Sequence, residues 1–384
     1  MISQSGKSQL YNISLFLLSF FSVAKDIYVI ENGILFYVLD ALEWVFLAIL
    51  IMVYLMQRYY NTKELLIECI VVLILLVGYI QSGYAVLLRG ALLIVAAKGI
   101  DFIKICRTLR YGFTSGFYMS IGLYVLGVSR VEDVRRGYSS LGFSYPNVCS
   151  GVLLIICILW IIERARRKVG LTECVLCWII ALFDFFVVNS RMATIIIFVL
   201  PVFVILFQRL HRKKPGRFMK RLLSWICYVP VIALIITYIA ARFYPSIPYL
   251  RAIDYLFGSR MYLNYSNLTR YGISLFGQSI VFNTGESIYN MFTGNYSTYN
   301  TVDNAYMCLL LQMGIIPMAI YIFANVCVIK KANRRSQYEI MAIAILICIY
   351  GLTESSIVNV LYNVPLIYLM SDYSDRTARI DIEK

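Results

Sequence analysis

Long apolar runs recur along this chain, and they limit its possible folds more than any other feature. An α-helix needs about 17 to 25 apolar residues to cross a bilayer. With 60% hydrophobic and 15% charged residues, the 384-residue chain has too many such runs for one soluble core. The predicted spans lie near residues 10–24, 34–56, 64–80, 84–103, 111–128, 147–162, 171–188, 192–208, 222–241, 304–329, 339–353 and 356–370. The sequence therefore predicts an all-α polytopic membrane protein, residues 1–384 forming one integral membrane domain with about twelve transmembrane helices.

Positive charge is concentrated between the spans and predicts their orientation. Cations cluster in RTLR, ERARRK, QRLHRKKPGRFMKR and KKANRR, as is typical of cytoplasmic loops. The connections that this topology places inside hold 24 of the 35 lysines and arginines. We therefore expect a multi-pass protein with both termini in the cytoplasm and a basic cytoplasmic loop at 208–221. The net charge of +14 is then a topology signal that contacts membrane lipid, and no nucleic-acid partner is expected.

One connection is far longer than the rest. Residues 242–303 form a polar loop between the ninth and tenth predicted spans, and this topology makes it extracytoplasmic. Long loops of this kind are usually functional. The loop holds nine tyrosines and many asparagines, whose aromatic faces and amide groups suit a sugar ligand. Enrichment of tyrosine at membrane interfaces is the alternative explanation.

An arginine stands between two apolar runs in FFVVNSRMATIIIF, with Asn189 and Ser190 as its polar neighbours. Arg191 cannot lose its charge, and placing that charge in hydrocarbon is costly. The topology puts it at the outer tip of a hairpin between the seventh and eighth spans. It either extends to lipid headgroups or serves a site.

Further charges are expected on the same outer side. Arg260 and Arg270 lie in the long loop, Asp303 precedes the tenth span, and Glu354 lies between the last two spans. An arginine fork matches phosphate oxygens, and a carboxylate can accept a proton from a sugar hydroxyl. Asp303 is equally compatible with a helix cap. No acidic pair or histidine cluster has ligand spacing, so we expect a glycosyltransferase that needs no metal and no cofactor.

Polar residues also occur inside the predicted spans. Asp40 and Glu43 lie three residues apart on one helix face, at about the depth of Arg89 in the fourth span. A structural ion pair is the expected role, with proton coupling as the alternative. Lys98 and Asp101 are expected to pair within one helix.

The same segments carry a resemblance to a known family. GFSYPN (142–147), the NSRMA hairpin, LFGSR with ISLFGQ, VDNAYMCLLLQMGII (302–316) and TESS occur in an order and position that resemble the Wzy-type polymerases of O-antigen and capsular polysaccharide, which are related to O-antigen ligases. Together they cover about the last 240 residues. The first 140 are similar to the family only in hydropathy.

The resemblance implies a polysaccharide polymerase in the bacterial cytoplasmic membrane. Such an enzyme joins undecaprenyl-pyrophosphate-linked repeat units of capsule, O-antigen or exopolysaccharide on the outer face, with a flippase and a chain-length regulator as candidate partners. It further implies that Arg191 and Arg260 engage the pyrophosphate. The VDNAY segment would lie at the acceptor, with Asp303 where the ligases have histidine. We assign Arg191, Arg260 and Asp303 to catalysis, and the residues assigned to substrate binding are Ser190, Arg270, Asn304, Tyr306 and Glu354.

Two other functions compete with this interpretation. A flippase for lipid-linked oligosaccharides also has about twelve spans, but its charges should follow a central path and its loops should be short. An O-antigen ligase would keep the chemistry and use a different acceptor.

Overall fold

The computed structural model describes residues 4–31, 33–56, 61–129, 132–133, 138–165, 169–212, 216–256, 259–282 and 300–373. Most of these residues are helical, and there is one short antiparallel pair, β1 (Glu132–Asp133) and β2 (Tyr138–Ser139). The α-helices are α1 (Gln4–Ala24), α2 (Tyr28–Glu31), α3 (Ile34–Leu55), α4 (Thr62–Ser82), α5 (Val86–Ala96), α6 (Phe102–Val125), α7 (Pro146–Ala165), α8 (Leu171–Phe183), α9 (Arg191–Arg212), α10 (Arg217–Ile226), α11 (Val229–Arg242), α12 (Pro248–Leu256), α13 (Arg260–Tyr271), α14 (Ala305–Gln312), α15 (Ile315–Arg334) and α16 (Tyr338–Tyr350).

The architecture is that of a membrane protein. In the described part of the chain, six helices are long and apolar enough to cross a bilayer: α3, α4, α7, α8 with its π-helical extension, α9 and α15. The pair α10 and α11 makes a seventh if it counts as one span bent by 51°. The structure thus confirms an all-helical membrane fold, with fewer full-length spans than the twelve predicted.

The core lies around α7 and α16. α16 is apolar on all sides and almost fully buried, and it packs against α9, α11 and α15. α7 is buried over most of its length and packs between α6 and α9. In contrast, α3, α4 and α8 expose many large apolar side chains, as expected of helices that face lipid. The polar site described below lies where the core helices end.

The predicted span 304–329 is broken into α14 and α15. The break occurs at Gly314, whose φ of 81° is left-handed. The segment that contains ISLFGQ forms hydrogen bonds to the backbone on both sides of the break. Ser274 and Leu275 accept hydrogen bonds from the first backbone N–H groups of α15 (both 3.0 Å), and the Gln278 N–H donates to the Gln312 carbonyl (2.9 Å). A distant segment thus satisfies the backbone groups that the break frees.

Three other predicted spans are shorter than expected. The span near 84–103 contains only the 11-residue α5, and that near 339–353 contains the 13-residue α16. The span near 356–370 forms two 3₁₀ helices, Ser355–Val358 and Val364–Leu369, rather than one α-helix. The Asn359 side chain accepts the Leu361 N–H between them, so a side chain replaces a helical hydrogen bond.

The two predicted loops contain helical structure. α9 continues to Arg212 and α10 begins at Arg217, so helices cover most of the predicted basic loop 208–221. The predicted loop 242–303 contains α12 and α13. Its residues 283–299, with three of the nine tyrosines, lie outside the described part of the chain.

Candidate active site

Arg260 connects two carboxylates that are distant in sequence. Its Nε lies 3.2 Å from Asp303 Oδ2, and its Nη2 donates a hydrogen bond of 3.2 Å to Glu354 Oε1. The same Glu354 oxygen accepts from Asn147 Nδ2 at 3.2 Å. We call Asn147, Arg260, Asp303 and Glu354 the Arg260 cluster. It unites one residue from each of GFSYPN, LFGSR, VDNAY and TESS.

A buried carboxylate fixes the position of Arg260, the first residue of α13. Asp254 accepts hydrogen bonds from the backbone N–H groups of Met261 (2.7 Å) and Tyr262 (3.0 Å). It thereby satisfies two N–H groups that the first helical turn leaves without partners. Ser259 has a left-handed φ of 62°, and its N–H donates to the Asp254 carbonyl (3.0 Å). α12 and α13 are thus joined by a turn that directs Arg260 toward the carboxylates.

Two hydrogen bonds bring Asp303 and Glu354 close together. The Ala305 backbone N–H donates to the Gly351 carbonyl (2.9 Å), and the Asn304 side chain donates from Nδ2 to the Leu352 carbonyl (2.7 Å). Asn304 also caps α14, because its side chain accepts the Met307 N–H (2.9 Å). The segments on either side of this pairing hold the two carboxylates against Arg260. Asn304, which the sequence assigns to substrate binding, has a structural role here.

The two carboxylates differ in exposure. The Asp303 side chain is 37% exposed, whereas that of Glu354 is only 12% exposed. Glu354 lies beyond the end of α16, and burial raises its pKa from 4.5 to about 7, with Arg260 opposing the shift and Asp303 adding to it. Asp303 is therefore the carboxylate that a substrate can reach, and Glu354 is a buried group that titrates near neutral pH.

Two other predicted site residues, Tyr306 and Arg270, make contacts with residues outside the cluster. Tyr306 is only 1% exposed, and its hydroxyl donates to the Cys348 carbonyl (2.7 Å), which is the contact of a core tyrosine. Arg270 is exposed near the other end of α13, ten residues from Arg260 and thus about 15 Å along the helix. Its guanidinium lies over the Tyr271 ring at 5.3 Å.

Arg191 begins α9 after a local distortion of the hairpin. α8 ends in a π-helix, Asp184–Val188, and Asn189 follows with a left-handed φ of 60°. Arg191 is exposed, and among the described residues it has no ion pair or hydrogen bond from its side chain. Ser190 is buried, and its carbonyl accepts from the Thr194 hydroxyl (2.9 Å). The structure therefore does not connect these two residues to the Arg260 cluster by a direct polar contact.

Two buried polar residues near the site, Asp184 and Tyr350, were not predicted from the sequence. Asp184 is fully buried in the π-helix and accepts hydrogen bonds from the hydroxyls of Ser150 and Thr194, the latter at 2.6 Å. The Tyr350 hydroxyl is buried without a hydrogen-bond partner among the described residues, and it interacts electrostatically with Glu354, Asp184 and Arg260. A lone carboxylate within ALFDFFVV was the sequence signal for Asp184.

A second charged group lies within the helical bundle. Arg89 contacts Asp40 (2.6 Å) and Glu43 (2.8 Å), which confirms the predicted ion pair. Lys25 joins both carboxylates, at 2.8 and 2.7 Å, and was not anticipated.

Lys98 and Asp101, which are predicted to pair, make further contacts in the structure. Lys98 bridges Glu64 (2.8 Å) and Glu68 (2.7 Å) on α4. The Asp101 side chain caps α6, accepting the Ile103 N–H. Neither of these contacts follows from the spacing of Lys98 and Asp101 along the chain, and their pairing stays a prediction.

Among the described residues, no group of three or more histidine, cysteine, aspartate or glutamate side chains could hold a metal ion. Comparison of the chain with protein-family models, with curated proteins and with solved structures found no match.

Proposed function

We propose that this chain is a polysaccharide polymerase, a glycosyltransferase that joins undecaprenyl-pyrophosphate-linked repeat units on the outer face of the bacterial cytoplasmic membrane. One observation carries the proposal: the Arg260 cluster joins four sequence segments that resemble the Wzy-type family. Those segments lie up to about 200 residues apart, and their polar residues meet at 3.2 Å. The transfer needs a positive charge to bind the pyrophosphate and a negative carboxylate to take the acceptor proton. An arginine between two carboxylates provides both.

The transfer moves the growing chain from its carrier onto the next repeat unit. The acceptor hydroxyl oxygen forms a bond to the anomeric carbon, while the bond from that carbon to the pyrophosphate oxygen breaks. Asp303 takes the hydroxyl proton, because it is the more exposed carboxylate of the cluster. The electron pair of the broken bond leaves with undecaprenyl pyrophosphate.

Two arginines stabilise the leaving pyrophosphate. Among the described residues, the carboxylates occupy Nε and Nη2 of Arg260, and Nη1 remains available as a donor to phosphate. Arg191 has its whole guanidinium available on the exposed hairpin tip. Such preorganised donors act on the charge that develops in the transition state. In other enzymes, removal of one such donor by mutation lowers the catalytic rate about 10²- to 10³-fold.

A cluster of tyrosines next to Arg260 supports a sugar ligand. The Tyr244 ring stacks on Tyr265 with centroids 5.9 Å apart, and Tyr262 lies at the same distance in a tilted arrangement. Tyr262, two residues after Arg260, is exposed. Aromatic faces with polar edges suit the C–H patches and hydroxyls of a sugar. We place the acceptor repeat unit along this side of α13.

The proposal includes a topology with twelve membrane crossings. In it, the shorter and broken elements, such as α5, α16 and the final 3₁₀ helices, cross the bilayer while buried among other helices, as irregular backbone must. The loop 242–303 and the Arg260 cluster face outward, and both termini and the 208–221 segment face the cytoplasm.

A lipid-linked oligosaccharide flippase is the second candidate function. The group formed by Lys25, Asp40, Glu43 and Arg89 within the bundle is the observation that favours it, since charges inside a membrane often mark transport paths. Its four charges balance one another, however, which also suits a structural network. An O-antigen ligase would use the Arg260 cluster in the same way, with a lipid core as the acceptor.

Deletion of the gene in its own host tests the proposal. The glycan on the carrier lipid is then sized, and the membrane face that displays it is determined. We expect single repeat units outside and no long chains. Repeat units retained inside would identify a flippase. Long polymer on the carrier that fails to reach its final lipid acceptor would identify a ligase.

A further inference from the structure

A groove of about 190 Å³ runs along the surface of the α8–α9 hairpin. One wall is a stripe on α9 formed by Thr194, Ile195, Phe198 and Val199. The opposite wall comes from the end of α8 and its π-helix and includes Ala181, Leu182 and Phe185. Several of these side chains are largely exposed, so the groove opens toward the lipid that surrounds the helices. An apolar chain in the bilayer can therefore enter it from the side.

Arg191 stands at the outer end of this stripe. Counted from Arg191, the four α9 wall residues are at positions i+3, i+4, i+7 and i+8, which is one face of an α-helix. Neighbours at i+3 and i+4 have Cβ atoms about 5 to 6 Å apart. The arginine side chain thus begins directly above the groove. Because its guanidinium has no polar partner among the described residues, it can bind an anion there.

Phe198, which lines the groove farther along α9, belongs to an aromatic pair. The Trp178 ring stacks on Phe198 with centroids 5.2 Å apart, and its indole N–H donates to the Phe198 carbonyl (3.0 Å). Phe198 is seven residues from Arg191, or about 10 Å along α9. The groove therefore has room for the first part of an apolar chain whose anionic head lies at Arg191.

We propose that this groove binds the first isoprene units of the lipid carrier, with the carrier pyrophosphate at Arg191. The inference rests on the proposed function and adds where the carrier lies: on the α8–α9 hairpin. Charge complementarity favours this occupant over a bulk phospholipid. A pyrophosphate carries more negative charge than a phosphodiester and offers more oxygens to an arginine fork. The carrier then approaches the Arg260 cluster from the hairpin side.

A pair of matched variants tests the groove. Ile195 lines it and is 52% exposed, whereas Ile179 lies on α8 outside it and is 56% exposed. Full-length wild-type protein, Ile195→Trp and Ile179→Trp are purified, and binding of undecaprenyl pyrophosphate is measured by native mass spectrometry. We expect Ile195→Trp to weaken binding at least tenfold, because the indole fills the groove, and Ile179→Trp to bind as wild type does.

The outcomes separate this inference from the proposed function. Equal binding by both tryptophan variants and wild type would overturn the groove and leave the polymerase proposal intact. No binding of undecaprenyl pyrophosphate to wild type would overturn both. Displacement of the carrier by an equal concentration of phosphatidylglycerol would show an unselective lipid surface and also overturn the groove.

A crosslinking measurement guards against a variant that fails to fold. A photoreactive group is placed on the first isoprene unit of a prenyl pyrophosphate, and the labelled peptide of the wild-type protein is mapped. We expect the label between residues 178 and 199. A label confined to other helices would overturn the inference, whatever the behaviour of the tryptophan variants.

Discussion

Arg260 places one positive charge between two carboxylates, so the charge of its cluster depends on the protonation of Glu354. With Glu354 protonated, Arg260 and Asp303 balance each other. With Glu354 ionised, the cluster has one net negative charge, which opposes the approach of a pyrophosphate. Because burial raises the pKa of Glu354 to about 7, this change occurs near neutral pH. In the proposed function, Glu354 would therefore tune the affinity for the donor, and Asp303 would take the proton.

This charge balance predicts a pH dependence. The KM of the wild-type enzyme for the lipid-pyrophosphate donor should rise as the pH increases from 6 to 8, by roughly threefold to tenfold for one added charge. In Glu354→Gln the KM should stay low and nearly constant over the same range, because the amide does not ionise. Initial rates at several donor concentrations measure both profiles. A wild-type profile retained in Glu354→Gln would assign the titration to another group.

The second residue-level prediction concerns Arg191. Replacement by lysine keeps the charge and removes the planar fork of donors, so Arg191→Lys should lose at least tenfold in polymerisation rate. Arg242→Lys, at the exposed end of α11, is the control and should keep full activity. Polymer length in membranes is measured at equal protein levels. Full activity of Arg191→Lys would mean that Arg191 only contacts lipid headgroups.

The sequence could predict part of the Arg260 cluster. Charge distribution placed Arg260, Asp303 and Glu354 on one side of the membrane, and the structure brings these three together. The sequence could not predict the position of Tyr350, because that position depends on how α16 packs. Asn304 and Tyr306 are assigned to substrate binding because of their motif. In the structure their hydrogen bonds hold the site segments in place.

At the scale of elements, apolar runs predicted the helices well where each helix packs as one straight unit, as in α3, α4 and α7. They did not predict the break between α14 and α15, since the apolar pattern continues through Gly314. The break depends on a segment about 40 residues earlier, where Gly277 lies against the backbone of Gln312 and Met313. Periodicity reports the local helix and carries no information about such a distant contact.

The close approach at Gly277 makes a prediction. A Cβ added there would lie 2.3 Å from the Gln312 carbonyl oxygen, and the residue has a φ of 99°. Gly277→Ala should therefore lower the free energy of unfolding by about 2 kcal/mol or more. Gly122→Ala is the control, since a Cβ there meets nothing within 4 Å and the residue is in a helix. Thermal unfolding of both variants in detergent measures the difference. Equal unfolding temperatures would contradict the close contact.

At the scale of the whole molecule, cations and the polar site occupy different parts of the chain. Basic residues lie at and after the C-terminal ends of α9 and α15. The Arg260 cluster instead lies at the N-terminal starts of α7 and α14, and α14 belongs to the same predicted span as α15. The positive-inside rule then predicts that the cluster faces outward, where lipid-linked repeat units are joined in the proposed function.

Labelling of introduced cysteines tests this orientation. Tyr249 on α12 and Phe218 on α10 are each 80% exposed. With Cys69, the exposed native cysteine, changed to serine, a membrane-impermeant maleimide should label Tyr249→Cys in intact cells. It should label Phe218→Cys only after the membrane is permeabilised. The reverse pattern would invert the topology and place the Arg260 cluster in the cytoplasm.

The most direct test of the proposed function is polymerisation by the purified protein in proteoliposomes. The only substrate is undecaprenyl-pyrophosphate-linked repeat unit isolated from the gene-deletion strain, and the products are sized on a gel. We predict a ladder of longer oligosaccharides on the carrier with wild-type protein, and single units only with Asp303→Asn, which cannot take the acceptor proton. Single units with the wild-type protein, or an unchanged ladder with Asp303→Asn, would contradict the proposed polymerase or the role of Asp303, respectively.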